Sequence, residues 1–309
     1  MNICSAALSK STKSQYSSII EHFQEFCNSH GHSNYLLIPV SLGVEDLTSL
    51  YKDGKSFSTI NSARSALSHY VKLVEDRNAD FGKHALIVQF MKGVFKLRPA
   101  LPRYNHTWDL SPVLQKMKTI DNESATLKDI SFKCVTLIAL TSSQRSQTIA
   151  AIKTDNLLFS HGDKVVIKFD VVLKTTRPNF QNIIELCSYK DDSRICPVSC
   201  LTVYLRRTKA LRHSNNLFIA LQKPHNSVTS QTLSRWISAF LRNCGIDEKF
   251  LAHSTRSASV SKAKRLNVNT DTILRTVGWS SDKTFAKFYN KPLSNDQFNQ
   301  NQYINAILS

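Results

Sequence analysis

Residues 253–265, HSTRSASVSKAKR, set a histidine and an arginine three positions apart at the start of a helical stretch, Thr255–Leu266. The stretch closes with Lys262, Lys264 and Arg265. By itself H-x-x-R is a common chance tetrapeptide, and a run of lysines and arginines is ordinarily a solvated face. Three other places give the stretch its weight. In Thr141-Ser-Ser-Gln-Arg145 an apolar helix gives way to a polar turn carrying one arginine. Lys174 lies in a polar stretch, LKTTRPNFQ, between the strand segments Lys164–Phe169 and Asn182–Leu186, at the strand end where KTT turns into RPN. Gly278-Trp279 is followed ten residues after the tryptophan by Tyr289, in FAKFYNKP. Each alone has a bland reading: a capping arginine, a solvated hairpin lysine, a core tryptophan, a half-buried tyrosine.

Working outward, the chain reads as mainly α with a small antiparallel β-sheet. Tyr16, Ile19, Ile20, Phe23 and Phe26 recur at helical spacing, with Gly31 as a stop. Val44–Tyr51, Ser58–Val74 and Ala85–Leu97 add three more helices, so residues 1–98 form a small bundle. Pro99 and Pro102 interrupt Leu97–His106, and residues 99–107 read as a linker. The larger domain, residues 108–309, has helical patterns at Trp108–Met117, Leu127–Leu140, Pro197–Leu211, Thr229–Cys244, Thr255–Leu266, Thr270–Val277 and Ser281–Tyr289.

The 309 residues include 40 Lys+Arg against 23 Asp+Glu, a formal net charge of +17. Residues 1–98 carry +3 of it and residues 99–309 carry +14. Such an excess calls for a polyanion, nucleic acid first and an acidic membrane second. Hydrophobic residues at 41%, with only 8 Gly and 8 Pro, exclude wholesale disorder and low complexity. No apolar run approaches the ~20 residues of a membrane span, and Met1–Lys10 lacks a basic-then-apolar leader. Seven scattered cysteines fit a reducing compartment better than a disulfide framework. Cys196-x-x-x-Cys200, and Cys27 with His30 and His32, are the nearest approaches to a metal site, and both read as incidental thiols. No metal and no cofactor is expected.

Order and spacing turn the four weak signals into one pattern. An arginine, a hairpin lysine, H-x-x-R, a Gly-Trp step and a tyrosine ten residues on resemble the tyrosine recombinases, or integrase family, over Trp108–Pro292. The wording of LPRYNHTWDL, SSQRSQTIA, HSTRSASVSKAK and VGWSSDKTFAKFYNKP is similar to the recombinases of DIRS-type retrotransposons. The resemblance implies an α+β catalytic domain with Arg145, Lys174, His253, Arg256 and Trp279 as catalytic residues and Tyr289 as nucleophile. It makes residues 1–98 a core-binding (SAM-like) domain. It implies double-stranded DNA as partner, a homotetramer on paired sites, and a nuclear location for a eukaryotic mobile element.

The residue types suit that chemistry. Attack of a phenol on a phosphodiester passes through a transition state with extra negative charge on phosphorane oxygens. Two guanidinium groups, always charged and planar, would clamp it; Arg145 and Arg256 are the candidates. A tyrosine of pKa ~10 needs a positive field or a base, a role for His253. Lys174 would protonate the leaving 5′-oxygen, with Lys164 and Lys168 as alternatives. The indole N–H of Trp279 can donate to a phosphate oxygen but cannot shuttle a proton. Where family members often carry an acidic residue three positions after the first arginine, this chain has Thr148, leaving Gln144 or Gln147 to buttress Arg145. Lys262, Lys264, Arg265 and Arg64 are candidate DNA contacts, and Arg206, Arg207, Lys209 and Arg212 form a second basic cluster. Two other readings compete: a DNA-binding protein on this scaffold without catalysis, and a strand-relaxing enzyme of the topoisomerase IB kind.

Overall fold

A computed structural model describes residues 7–160, 163–174, 176, 182–279 and 291–293. The chain divides into two compact units, Met1–Arg103 and Tyr104–Ser309.

The first unit holds α1 (Lys10–Ser29), α2 (Val40–Lys52), α3 (Phe57–Tyr70) and α4 (Ala85–Leu97). Ser9 and Ser56 cap α1 and α3 by accepting from the third residue on, Thr12 and Thr59. Their apolar faces meet in a core of Phe23, Ile38, Leu47, Ile60, Leu67, Leu73, Phe81 and Ile87. Gly43 on α2 is required by that packing, since a Cβ there would fall 2.3 Å from the Phe81 ring.

Read from periodicity, the third helix runs on to Val74; in the structure it stops at Tyr70. Val71 is extended, and Lys72–Leu73 (β2) pairs in parallel with Leu37–Ile38 (β1). Lys72 N–H donates to Leu36 at 2.8 Å and Val74 N–H to Ile38 at 2.9 Å. These bonds replace a last helical turn whose Tyr70 and Val74 would have gained little, for both stand exposed.

The second unit is built on α6 (Leu127–Ser142), buried almost from end to end. Around it stand α5 (Ser111–Lys118), α7 (Ser146–Ala150), α8 (Pro197–Thr208), α9 (Ser230–Asn243), α10 (Ser254–Arg265) and α11 (Thr270–Val277). Pro112 sits in the first turn of α5, where its missing N–H costs nothing, so that helix starts later than its apolar pattern at Trp108 suggests. The sheet is antiparallel with order β3 (Leu157–Ser160), β4 (Lys164–Lys168), β5 (Ile183–Cys187). Val165 opposes Leu186 and Ile167 opposes Ile184, and all four are buried. The edge strand β3 escaped the sequence reading because LLFS has no alternation and Leu158 and Phe159 face outward. The fold class read from sequence, mainly helical with a small antiparallel sheet, is the one observed.

Candidate active site

The turn that precedes α10 is fixed by side chains from distant parts of the second unit. Trp108 Nε1 donates to Ser254 Oγ at 2.9 Å, a buried bond across 146 residues. Ser238 Oγ accepts from Ala252 N–H at 3.0 Å, Thr255 Oγ1 donates to the Ala252 carbonyl at 2.7 Å, and Tyr104 Oη accepts from Leu251 N–H at 3.1 Å. His253 is therefore held at the helix start with its outer face in solvent. Arg256, one turn on, shares its side of the helix but points into the protein and is fully buried. Its guanidinium carbon lies 5.3 Å from the centre of the Trp279 ring, a cation–π distance.

Trp279 is delivered by the end of α11. Gly278 adopts φ +75°, which only glycine takes at little cost, and closes a Schellman-type cap. In that cap Trp279 N–H donates to Leu274 at 2.9 Å and Gly278 N–H to Arg275 at 3.2 Å. The ring also packs against the small core of Val260, Ile273 and Val277.

The Arg145 turn reaches the same place from α6. The last turn of α6 is bonded by hydroxyls, Thr141 to Leu137 at 2.9 Å and Ser142 to Ile138 at 2.6 Å. Ser143 then enters the left-handed region (φ 50°, ψ 31°), an uncommon conformation for a residue with a Cβ. The reversal buries Gln144 and leaves Arg145 extended as the cap residue of α7. Gln144 Nε2 donates to the carbonyls of Thr276 and Val277, each at 3.3 Å. Of the two glutamines considered as a buttress, Gln144 thus ties the Arg145 turn to the helix end that carries Gly278–Trp279. Gln147 is exposed, and Thr148 is buried.

Arg145 and His253 line one cavity of about 210 Å³ with Gln144, Ser146, Gln147 and Thr255. Partial desolvation lowers the His253 pKa to about 4, reinforced in order by the charges of Arg256, Arg145, Lys174 and Lys291. At neutral pH the ring is uncharged, with one nitrogen to donate and one to accept a hydrogen bond, and it is a weak base until an anion offsets the nearby cations. Four cations around one neutral imidazole make a place for an anion.

Lys174 belongs to this field, but it does not sit at a strand end. β4 stops at Lys168, and Lys174 follows in a separate turn, where Thr176 N–H donates to the Leu173 carbonyl at 3.0 Å. Leu173 N–H donates to Thr176 Oγ1 at 2.8 Å, and the buried Leu173 side chain anchors the turn. Of the alternatives, Lys164 pairs with Glu185 at 2.8 Å and Lys168 is exposed at the end of β4. Lys291 was missed by sequence reasoning; its only signal was its place two residues after Tyr289 in FAKFYNKP. Tyr289, and the helical pattern Ser281–Tyr289, lie outside the described residues.

The candidate DNA contacts are placed elsewhere. Lys262, Lys264 and Arg265 occupy the last turn of α10, roughly 9 to 14 Å along the helix from Arg256 at 1.5 Å per residue. Lys264 and Arg265 are exposed there. Arg64, on α3 of the first unit, is half-buried and donates to the Gly82 carbonyl at 3.1 Å. The second basic cluster is largely engaged within the protein: Arg206 pairs with Glu123, and Arg207 donates to the carbonyls of Asn122 (2.9 Å) and Ala125. Arg212 donates to those of Asn216 and Leu217, both at 2.7 Å. Cys27, one of the thiols weighed as a metal ligand, is buried in the core of the first unit. Among the described residues no group of three or more His, Cys, Asp or Glu side chains could hold a metal ion.

Residues 112–295 match the model of the phage integrase family. Among solved structures, the chain is similar to the Tn1549 transposon integrase in complex with transposon right end DNA, at 12% identity and a TM-score of 0.64, over 97% of this chain and 94% of that one. It is similar to the XerH site-specific recombinase bound to a palindromic difH substrate, at 16% identity and a TM-score of 0.57, over 87% of this chain and 71% of that one. A lambda integrase dimer bound to a COC′ core site aligns at 14% identity and a TM-score of 0.56, over 95% of this chain and 93% of that one. At these identities the likeness is one of fold. No curated protein sequence matches the chain.

Proposed function

The chain belongs to the phage integrase family and is a tyrosine recombinase, an enzyme that breaks and rejoins DNA strands; on that premise we propose that Tyr289 attacks a DNA phosphodiester held between Arg145 and Arg256. The observation that supports this most is that Arg145 and His253 line one cavity, with Arg256 one turn along α10 from His253 and set against Trp279; the charges of Arg256, Arg145 and Lys174 are also felt at His253. A phosphodiester carries one negative charge and gains a second as the phosphorane forms. Guanidinium groups already in place stabilise that second charge without reorganising.

Each residue then has a step. His253, neutral at pH 7 in the free protein, takes the phenolic proton once the bound phosphate offsets the surrounding cations, or donates its ring N–H to a phosphate oxygen. Trp279, within cation–π distance of Arg256, helps hold the guanidinium and offers its indole N–H to a phosphate oxygen. Lys174 gives a proton to the departing 5′-oxygen, leaving a free 5′-hydroxyl and a 3′-phosphotyrosyl enzyme. That ester conserves the energy of the broken bond, so a 5′-hydroxyl of another strand rejoins by the reverse path without nucleotide hydrolysis. All the cations the reaction uses are side chains.

Double-stranded DNA is the substrate in this reading. Exchange between two duplexes cuts four strands, which calls for four tyrosines and a homotetramer. Residues 1–98 serve as the core-binding domain. Lys262, Lys264 and Arg265 add backbone contacts, whereas Arg64, already bonded to the Gly82 carbonyl, is the weakest of the four candidates. The wording of the motifs supports a further reading, that the enzyme is akin to the recombinases of DIRS-type retrotransposons and acts for a mobile element in the nucleus. The test is incubation with suicide duplexes carrying the element's ends. A denaturation-resistant protein–DNA adduct is expected, and Tyr289→Phe should abolish it. An adduct that persists in the Phe variant removes Tyr289 from the reaction. Salt-dependent binding with no adduct in the native protein leaves only a DNA-binding role.

A further inference from the structure

We propose that Lys291 is a further phosphate-contacting residue of this site, a fourth side-chain cation beside Arg145, Lys174 and Arg256. The proposal rests on the reading of the site as one for DNA phosphates. Lys291 is held from two sides. Its backbone N–H donates to Ser261 Oγ at 3.1 Å, on the helix that begins beside His253. The next two residues are stitched to the start of the second unit: Thr107 N–H donates to the Pro292 carbonyl at 2.7 Å, and Leu293 forms a parallel bridge with Thr107.

The side chain is aimed by Tyr104. Lys291 Nζ donates to the Tyr104 carbonyl and lies 5.5 Å from the centre of its ring. The hydroxyl of the same tyrosine accepts from Leu251 N–H, two residues before His253, so one residue spans from the ammonium to the root of the His253 turn. The charge of Lys291 is felt at His253, as are those of Arg256, Arg145 and Lys174.

A purely structural clip would not need this charge, because a neutral amide could make the same bond to the Tyr104 carbonyl. The ammonium is instead half-buried, and burial holds its pKa below the usual lysine value, a cost that a bound anion would offset. Of its three N–H groups one goes to Tyr104, which leaves two for phosphate oxygens. With both arginines on the scissile phosphate and Lys174 on its leaving group, Lys291 takes the neighbouring phosphate of the same strand.

The test is the salt dependence of binding of the full chain to a fluorescein-labelled DNA duplex of arbitrary sequence. Lys291→Gln keeps a donor for the Tyr104 carbonyl. Its plot of log K against log salt should be shallower by about 0.9, one phosphate contact. The native advantage then shrinks about 3.5-fold between roughly 50 and 200 mM salt. Lys291→Arg should keep the native slope. A Lys291→Gln protein with an unchanged slope overturns the proposal, whatever its affinity. Arg145→Gln in the same assay separates the two failures. If it also leaves the slope unchanged, the phosphate reading of the whole site has failed and this proposal falls with it. A measurement on the native protein needs no variant: DNA should protect Lys291 from acetylation read by mass spectrometry, and full reactivity in the complex refutes the contact.

Discussion

Replacing Gln144 with methionine keeps the length and shape of the buried side chain and removes its two donors. The bonds lost run from Nε2 to the Thr276 and Val277 carbonyls, both at 3.3 Å, toward the long end of the normal range. Each net contribution is then about 0.5–1 kcal/mol. Thr276 is exposed, so water can satisfy its carbonyl, whereas Val277 is buried. The total loss is about 1–2 kcal/mol, which in a unit of this size lowers Tm by about 2–8 °C. These bonds join the turn holding Arg145 to the helix end holding Trp279, so the loss should also appear where the two act together. Single-turnover cleavage of a suicide duplex should slow by about 5–30-fold, the kinetic equivalent of that energy. Affinity for the same duplex should hardly move, because every cation remains. Gln144→Glu sharpens the test. It introduces the acidic type that family members carry near this arginine, yet it would turn carboxylate oxygens toward two carbonyls. Cleavage should therefore fall further than with methionine. A methionine variant that melts early but cleaves at the native rate would make Gln144 a helix cap with no bearing on the site. A glutamate variant at least as active as the native protein would refute the geometry outright.

Two further outcomes follow from the same neighbourhood. Trp108→Phe leaves the buried Ser254 Oγ without its indole donor and should cost about 1–3 kcal/mol; Ser254→Ala should cost less, and the double variant less than the sum, by thermal melting. Full additivity would show that the bond contributes nothing. His253 should titrate near pH 4 in the free protein by NMR of its ring protons, and its midpoint should rise when inorganic phosphate fills the cation cluster. Because the folded pKa lies below the unfolded one, its contribution to stability is full above about pH 6.5 and is lost as pH falls through about 4. A midpoint above 6 without phosphate would mean that neither burial nor the four cations act on this ring.

Much of the protein is legible along the chain. Helices such as α4, α6 and α11 follow from apolar spacing and caps, because those depend on residues within a few positions of one another. The limits at α3 and β3 have one cause. Val71–Leu73 leaves the helix for a pairing with residues more than thirty positions away, and β3 is an edge strand without a buried face. Neither fact has a local signature.

The site divides the same way. Residue types, order and spacing mark Arg145, Lys174, His253, Arg256 and Trp279 as candidates, since a guanidinium or an imidazole has the same chemistry wherever it stands. Tertiary structure alone decides which meet: Arg256 buried against Trp279, Arg145 and His253 on one cavity, Lys174 and Lys291 within the same field. It also decides which positive charges are already engaged, for Arg206, Arg207 and Arg212 are bonded to the protein itself. Net charge is a sum over side chains and is complete in the sequence. What that charge can hold depends on distances that only packing around α6 creates.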